Sequence, residues 1–502
     1  MSKLGLLQAA GIVLVLCTTA AIAAPAQTFN TLVSFDGTNG ADPYAGLVQG
    51  TDGNFYGTTY YGGASGDGTV FKITPAGTLT SLYSFCSETN CTDGASPYAG
   101  LIQGTDGNFY GTTYYGGANK DMICSMEGYG CGTIFKMTPS GTLTTLYSFC
   151  SQTNCADGYQ PTAGLIQASN GNFYGTTSSG GAKEDGTVFE ITSSGALTTL
   201  HSFSNTDGAG PVAALVQASN GNFYGTTSGG ANGGGTVFKI TPAGTLTTLY
   251  SFCPETDCTD GEYPWGGLIQ ASDGNFYGTT SAGGANSNGA YCTRGGCGTV
   301  FEITSSGKLT TLYSFCSETN CTDGAVPYAG LIQATDGDFY GTTYLGGNGN
   351  NDALCPDAGC GTIFQITSGG TLTTLYRFCP QSDCAGGANP YAGLIQASNG
   401  NFYGTTSVDG PGSGTVFSLA VGLGPFVETR PTSGKVGTKV IILGNNLKGT
   451  TSVAFNGTAA AFKVVSDTEI KTSVPNGATT GYVTVTTPKK KLKSNVVFRV
   501  TK

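Results

Sequence analysis

The sequence predicts an all-β protein: a seven-bladed β-propeller closed by an N-terminal strand, followed by a small immunoglobulin-like β-sandwich. Three observations lead to this prediction. Gly accounts for 82 of 502 residues and only 10% of residues are charged, a composition that favours many short strands joined by tight turns. The run Gly-Asn-Phe-Tyr-Gly-Thr-Thr, once with Asp for Asn, occurs seven times. After Pro425 the repeated run disappears and the balance of charge reverses.

The first 24 residues have the features of a secretory signal peptide. Lys3 precedes an apolar stretch from Leu4 to Ala24 that ends in small residues, as signal peptides do. A retained membrane anchor is the alternative, and the short apolar core argues against it. We therefore predict that residues 1–24 are removed, that the mature chain has no transmembrane segment, and that the protein is secreted or extracellular. Association with the cell surface is left open.

The seven repeats have the length of propeller blades. Successive copies of the repeated Phe are 50 to 64 residues apart, at Phe55, Phe109, Phe173, Phe223, Phe276, Phe339 and Phe402; propeller blades have similar or slightly shorter periods. Each unit contains four strand-like runs, here named a, b, c and d. In the fifth unit they are Gly267–Ala271, Asn275–Ser281, Gly298–Thr304 and Lys308–Phe315.

The connections between these runs differ in length. The a→b and c→d connections are tight turns, whereas the b→c and d→a connections are long and variable. Alternate connections of an up-and-down sheet lie at the same end, so every insertion falls on one face, which we call the inserted-loop face. Loops held by a rigid scaffold commonly carry binding residues, and we predict the binding site on this face.

The ring, predicted to span residues 28–421, is expected to close through its two ends. The seventh unit reaches run c at Thr415–Leu419 and has no run d after it. Thr28–Phe35 has the pattern of run d and has no a, b or c before it. Pairing of these two segments would remove the exposed sheet edges of an open array. An open solenoid is the alternative, but it does not explain why one end of the repeat region lacks a run d and the other end has a spare one.

The cysteines predict local disulfides. Outside the signal peptide there are 16 of them, in eight close pairs: Cys86/Cys91, Cys124/Cys131, Cys150/Cys155, Cys253/Cys258, Cys292/Cys297, Cys316/Cys321, Cys355/Cys360 and Cys379/Cys384. An even number in an exported chain indicates disulfides. A zinc site would require two pairs to meet in space, and local pairing explains every cysteine without one. We predict no metal site and no cofactor.

These disulfides are expected to decorate the inserted-loop face. Each pair lies in a b→c or a d→a connection, and closing loops this short contributes only about 2 kcal/mol each by chain-entropy reasoning. We therefore expect the bonds to stiffen surface loops more than they hold the fold together.

Residues 425–502 form a second predicted domain of opposite charge. They hold 12 basic and 3 acidic residues, a net charge of +9, whereas the mature repeat region carries about −20. Alternating runs such as Lys439–Leu443 and Tyr482–Thr486 predict a β-sandwich. The densest basic run is Lys489–Lys491 with Lys493. Contact with the acidic repeats, binding of an acidic cell-surface polymer and simple solvation remain open for this run.

Two resemblances add to this interpretation. The pattern Pro431-x-Ser-Gly434-x-x-Gly437-Thr-x-Val440, followed by Val453-x-Phe455-Asn-Gly457 and Val474-Pro475-x-Gly477, resembles the IPT/TIG family of immunoglobulin-like domains. The seven Gly-Asn-Phe-Tyr-Gly-Thr-Thr units and the Gly-Thr-Val-Phe runs that follow them resemble the bacterial choice-of-anchor tandem-repeat family called GloVer, over about residues 28–420. That resemblance implies export and, in many members, a surface-anchoring tail. Neither family implies a catalytic residue.

Residues suited to catalysis are better explained by structure. The only histidine, His201, replaces a Tyr that recurs in run d. Asp93, Asp157, Asp260 and Asp323 recur in one Asp-Gly turn, where Asp stabilises the turn itself. Glu88, Asn90 and Asp93 lack the spacing of a known calcium loop. Paired carboxylates of a glycosidase or lyase therefore remain only an alternative.

An aromatic pattern is the strongest candidate for a binding site. The residue after the Pro that opens run a is aromatic in five of the seven units, at Tyr44, Tyr98, Trp265, Tyr328 and Tyr391, and is Thr162 or Val212 in the other two. Such rings would bind a sugar or a peptide, or would pack one repeat on the next. We predict a non-catalytic binding or scaffold protein that recognises an extracellular glycan or protein and binds no nucleic acid. A polysaccharide-active lyase or glycosidase is the alternative.

Overall fold

The computed structural model describes residues 27–501 except 121–123, 125–128, 255–256, 287–291, 293–294, 348–354, 356–358, 381–383 and 409–411. The predicted signal peptide, residues 1–24, lies outside the described residues. Apart from three short 3-10 helices at Thr89–Cys91, Thr153–Cys155 and Thr319–Cys321, the regular structure described is β-strand. None of the helices in the described ranges is long and apolar enough to cross a membrane.

The repeats form four-stranded antiparallel sheets, seven of them in the described part of the chain, each with its strands in the order a-b-c-d. Sheets 1 to 3 comprise Val48–Gln49, Phe55–Thr59, Thr69–Ile73, Leu79–Ser84; Ile102–Gln103, Phe109–Thr113, Thr133–Met137, Leu143–Ser148; and Ile166–Gln167, Phe173–Thr177, Thr187–Ile191, Leu197–Ser202. Sheets 4 to 6 comprise Val216–Gln217, Phe223–Thr227, Thr236–Ile240, Leu246–Ser251; Ile269–Gln270, Phe276–Thr280, Thr299–Ile303, Leu309–Ser314; and Ile332–Gln333, Phe339–Thr343, Thr362–Ile366, Leu372–Arg377.

Sheet 7 is assembled from both ends of the repeat region. Its strands a, b and c are Ile395–Gln396, Phe402–Thr406 and Thr415–Ala420, and its strand d is Thr28–Ser34. Thr28 lies opposite Ala420 and Ser34 opposite Thr415 in antiparallel register. The predicted pairing of these two segments is therefore confirmed.

The Phe-Tyr pair of the repeated run joins neighbouring sheets. The Tyr ring of each sheet packs on the Phe ring of the next, with centroids 4.0 to 4.3 Å apart, at Tyr56/Phe109, Tyr110/Phe173, Tyr174/Phe223, Tyr224/Phe276, Tyr277/Phe339, Tyr340/Phe402 and Tyr403/Phe55. The last pair returns from sheet 7 to sheet 1. The side chains of the run therefore build a closed aromatic layer between all seven sheets.

The remaining residues of the run have equally specific roles. A Cβ added to Gly57 would lie 2.6 Å from the Phe71 ring, so this position accepts only glycine without repacking. The hydroxyl of Thr58 donates to the carbonyl of Ala99 in the next sheet, and that of Thr59 bonds Thr69 within its own sheet. These buried polar groups therefore all have partners, as buried polar groups require.

Glutamine side chains close a second ring at the end that carries the a→b turns. The Gln103 Oε1 accepts the Thr51 N–H of the preceding sheet at 3.0 Å. Equivalent bonds join every neighbouring pair of sheets, and the Gln49 Oε1 accepts the Ser398 N–H across the junction of sheets 7 and 1. Each strand a thus touches the next around a common centre.

The C-terminal residues form two further sheets around their own core. One has the strand order Glu428–Arg430, Lys439–Leu443, Glu469–Ser473, Phe462–Val464, and the other Ser433–Gly434, Lys491–Val500, Gly481–Thr486, Ser452–Phe455, Thr458–Ala459. Val440, Ile442, Val483 and Val485 alternate into the shared core, each 1% exposed or less. The predicted β-run at Lys439–Leu443 is observed with the same bounds, and the run predicted at Tyr482–Thr486 is observed as Gly481–Thr486.

This C-terminal unit lies against the a→b turns, opposite the inserted-loop face. The Arg430 guanidinium donates to the Gln49 carbonyl at 2.8 Å and to Gln103 Oε1 at 3.1 Å. The Thr468 hydroxyl donates to the Thr51 carbonyl at 2.7 Å. The molecule therefore has one end covered by the C-terminal unit and one end that carries the inserted loops.

Candidate aromatic binding site

The structure brings all five predicted aromatic residues together at the inserted-loop end of the central axis. Each follows the Pro that opens strand a, and strand a is the innermost strand of its sheet. Trp265 contacts Tyr328 at a centroid distance of 5.9 Å, and Tyr328 stacks on Tyr391 at 4.8 Å. Tyr391 lies 5.3 Å from Tyr44, and Tyr44 lies 5.5 Å from Tyr98. We call these five residues the aromatic arc.

Hydroxyl groups fix part of the arc. Tyr98 donates a hydrogen bond to the Tyr391 oxygen, which joins side chains of sheets 2 and 7 on either side of sheet 1. Burial raises the pKa of Tyr391 to about 12, and burial together with the charge of Asp42 raises that of Tyr44 to about 12. Burial also holds the pKa of Tyr98 far above its usual range. At neutral pH the arc is therefore uncharged and its phenols keep their hydroxyl hydrogens.

A second tier of tyrosines supports the arc on one side only. These are Tyr60, Tyr114 and Tyr344, each the residue after the repeated Thr-Thr. Tyr60 lies 5.5 Å from Tyr44, and Tyr344 lies 5.2 Å from Tyr328. We did not single out these residues from the sequence, although their fixed position after the repeated run was the signal that could have identified them.

The other side of the axis carries small side chains. Sheets 3 and 4 have Thr162 and Val212 in place of the arc residues, and Ser at the second-tier position. Next to them, between the loops of sheets 4 and 5, a cleft of about 310 Å³ is lined by Gly210, Ser228, Tyr263 and Trp265 among others. The Ser228 hydroxyl already donates to the Gly210 carbonyl, which leaves its oxygen lone pairs as acceptors. The arc therefore ends at Trp265 beside an open, mainly apolar cleft that has the Ser228 hydroxyl in its wall.

The residues that suggested catalysis have structural partners. Asp93 is fully buried; its carboxylate accepts from the Tyr83 hydroxyl at 2.8 Å and from the Ser87 N–H at 2.9 Å. Asp157, Asp260 and Asp323 make the corresponding contacts with the tyrosine of their own strand d. His201 takes the place of that tyrosine and pairs through Nε2 with Asp207 at 2.9 Å. These carboxylates organise the d→a loops.

All eight cysteine pairs are disulfides in the structure, as predicted from the sequence, and each bond joins neighbours in one loop. The b→c and d→a loops of one repeat nevertheless bring separate pairs together. The sulfur atoms of Cys292, Cys297, Cys316 and Cys321 all lie within 4.8 Å of one another. Cys124 meets the Cys150/Cys155 pair and Cys360 meets the Cys379/Cys384 pair in the same way. Paired disulfides thus stiffen the loops around the candidate site.

Several of these loop cysteines are also buried, and Cys131 shows how. Cys131 is bonded to Cys124 as predicted, but it is 0% exposed and belongs to the apolar core shared by sheets 2 and 3. Its backbone bridges Gly116 of the same repeat, and its carbonyl accepts the Gln160 N–H of the next one. The end of this b→c loop is therefore wedged between two repeats.

The same burial is found at the equivalent cysteines of other repeats. The residues that are 1% exposed or less are Cys124, Cys131, Cys155, Cys297, Cys321, Cys360 and Cys384. A sulfur without exposed surface cannot touch a ligand on the inserted-loop face. These cysteines consequently support the candidate site from beneath and are not themselves part of a binding surface.

The basic run of the C-terminal unit contacts its own domain. Lys489 donates to the Asn446 side chain at 3.2 Å, and the Lys493 ammonium lies 3.4 Å from the centre of the Tyr482 ring. The contacts with the repeat region come instead from Arg430, Thr468 and Asn445.

Comparison with known proteins identifies the family but no activity. No curated protein matches the sequence. Among solved structures, a protein of unknown function from Bacteroides thetaiotaomicron is 14% identical, with 79% of this chain and 76% of that chain covered and a TM-score of 0.42. A candidate 6-phosphogluconolactonase from Bacteroides uniformis is 14% identical over 66% and 84%, with a TM-score of 0.41. An auxiliary nutrient binding protein from B. thetaiotaomicron is 12% identical over 79% and 76%, with a TM-score of 0.40.

The repeat region has a specific match. The family described as the Gloeobacter/Verrucomicrobia repeat matches three overlapping segments, residues 18–153, 121–351 and 291–464. Together these segments span most of the chain, including every copy of the repeated Phe-Tyr pair that joins the sheets. The chain therefore belongs to the Gloeobacter/Verrucomicrobia repeat family.

Proposed function

We propose that residues 28–421 form a seven-bladed β-propeller and that residues 425–502 form an IPT/TIG-like immunoglobulin domain. The rings of Tyr-Phe contacts and glutamine hydrogen bonds, each of which returns from sheet 7 to sheet 1, support the first assignment. The two sheets packed around Val440 and Val483 support the second.

We further propose that the protein is a secreted, non-catalytic binding protein that recognises a glycan through the inserted-loop face. The observation that carries this proposal is the continuous aromatic arc, which ends at Trp265 beside a cleft with hydroxyl and backbone groups. Sugar rings stack their apolar faces on aromatic side chains while their hydroxyls take hydrogen bonds. The open cleft between sheets 4 and 5 provides room for the ring, and the phenols nearby provide neutral donors.

Rigidity favours the same assignment. The arc is attached to strand a of five sheets, and the surrounding loops are closed by disulfides. A site that is already ordered before binding loses little conformational entropy when it binds. The sheets and the disulfide-closed loops would thus hold the aromatic arc in one arrangement before a ligand binds.

The experiment is a glycan-array screen of the secreted full-length protein, followed by calorimetry with the best oligosaccharide. Trp265→Ala should weaken binding by about fivefold or more, because loss of one stacked ring typically removes about 1–3 kcal/mol. Trp265→Phe should retain most of the affinity, and Tyr482→Ala in the C-terminal domain is the matched control. Unchanged affinity of Trp265→Ala would exclude the arc as the site. Capture of a protein in place of any glycan would identify a protein ligand.

The C-terminal domain is proposed to add a weaker contact with acidic cell-surface polymer. Lys490 and Lys491 are exposed, and the domain carries a net charge of +9. Attraction of this kind is screened over about 8 Å at physiological salt. The association should therefore be released by salt, whereas glycan binding at the arc should persist.

A further inference from the structure

A second cavity lies between the a→b turns and the C-terminal domain, at the opposite end of the ring from the aromatic arc. Its volume is about 890 Å³, within the range of small-molecule sites. Its floor is apolar and includes Val48, Ile102, Ile166 and Val216, one residue from strand a of each of the first four sheets. The opposite wall belongs to the C-terminal domain. The cavity therefore lies between two parts of the chain that are far apart in sequence, and it is partly open to solvent.

Most polar groups that line this cavity already have partners. The Gln103 and Gln167 side chains belong to the glutamine ring, each accepting an N–H from the preceding sheet. The Arg430 guanidinium pairs with Glu428 at 2.7 Å and also donates to the Gln49 carbonyl. The one carboxylate among the lining residues is thus already neutralised by its neighbour.

Arg499 is different. It lines the cavity, is partly buried, and within the described residues its guanidinium makes no hydrogen bond or ion pair. Lys439 stands at the exposed edge of the same wall, so the unneutralised charge here is positive. The adjacent wall residue Thr429 is fully buried, and its hydroxyl has no hydrogen-bond partner among the residues that the structure describes. A guanidinium has five N–H donors, and when it is partly buried without an anion these donors lack a charged acceptor.

We propose that this cavity binds a small amphiphilic carboxylate, with its carboxylate on Arg499 and its apolar body on the Val and Ile floor. Arginine matches a carboxylate with two parallel N–H···O bonds, which are among the strongest hydrogen bonds in proteins. Lys439 adds positive charge at the rim. The branched side chains of the floor gain free energy by covering the apolar body from water.

The test uses the full mature chain and decanoate as the probe, with decanol as the neutral probe of equal length. Binding is measured by calorimetry at moderate salt. Decanoate should bind at least tenfold more tightly than decanol, because only decanoate offers an anion to the guanidinium. Arg499→Gln should remove that preference, and Ile166→Trp, which fills the floor, should weaken both probes.

Two controls keep the result interpretable. Lys463→Gln removes an exposed positive charge of the same domain that does not line the cavity, and it should leave decanoate binding unchanged. Arg499→Lys keeps the charge and should restore part of the preference, so it reports on the site even where Arg499→Gln fails to fold. Failure of decanoate to bind, equal affinity for decanol, or an unaffected Arg499→Gln protein would each overturn the proposal. Because the aromatic arc lies at the other end of the ring, these outcomes are independent of glycan binding.

Discussion

Substitution of Phe35 tests whether the N-terminal strand holds the ring closed. Phe35 is 1% exposed and packs edge-on against Phe71 of sheet 1 at 5.1 Å, while its N–H bonds the Gly414 carbonyl of sheet 7. The corresponding residue inside the repeat array is Phe203, which is fully buried and lies 5.2 Å from Phe238. The two side chains therefore have nearly the same surroundings, although one lies at the end of the array.

Phe35→Ala and Phe203→Ala should each lower the free energy of unfolding by about 3–5 kcal/mol, the usual cost of removing a buried Phe ring. In an open array the terminal strand would fray, and Phe35→Ala would cost far less than Phe203→Ala. Chemical denaturation followed by the fluorescence of the single Trp measures both. Val496→Ala, at a side chain 42% exposed, is the surface control and should change stability by about 0.5 kcal/mol or less. A loss below about 1 kcal/mol for Phe35→Ala, beside a full loss for Phe203→Ala, would refute closure as a source of stability.

Two further predictions concern the repeated run and the tyrosines. Gly111→Ala places a Cβ 2.6 Å from the Phe135 ring and should lower the free energy of unfolding by about 1–3 kcal/mol through overpacking. The control in the same denaturation series is Gly424→Ala, where a Cβ meets nothing within 4 Å. Equal stability of the two variants would contradict the packing argument. The pKa values of Tyr44 and Tyr391, raised to about 12 by burial, mean that folding favours the neutral phenol. The stability they support is complete below pH ~10, the ordinary tyrosine pKa, and is lost as pH rises toward about 12. Ultraviolet titration should show these phenols ionising later in the folded protein than in the unfolded chain, and Tyr391→Phe should remove part of the difference; identical titrations would contradict it.

The repeat pattern made much of the ring predictable, because the same side chains perform the same task seven times. The missing strand d after Thr415 and the spare strand at Thr28 predicted the pairing that the structure contains. Likewise, the position after each opening Pro was enough to place Tyr44 and Trp265 on the axis. The local spacing of the cysteines was enough to predict their bonds.

Contacts between distant parts of the chain were harder to predict from the sequence. Nothing near Arg430 indicates that its guanidinium meets the Gln49 carbonyl, because that contact depends on how two finished surfaces fit. The same limitation applies to the cavity around Arg499. It applies to Cys131 as well: spacing predicts the partner of a cysteine, whereas its burial depends on the neighbouring repeat, whose Gln160 N–H meets the Cys131 carbonyl.

The places where the repeats differ are more informative about function than the places where they agree. The Phe-Tyr pair and the glutamine hydrogen bonds are nearly identical in every sheet. They therefore explain why the ring forms, but they cannot make it specific for one ligand. The sheets differ near the central axis. Five of them carry Trp265 or a tyrosine at the position after the opening Pro, whereas the other two carry Thr162 and Val212. The two ends of the ring differ as well. At the end that carries the a→b turns, the C-terminal domain covers only some of the equivalent strand a residues and places Arg499 beside them. Since recognition of a specific ligand requires an uneven distribution of donors, charges and apolar surface, these two ends of the axis are where binding is to be sought.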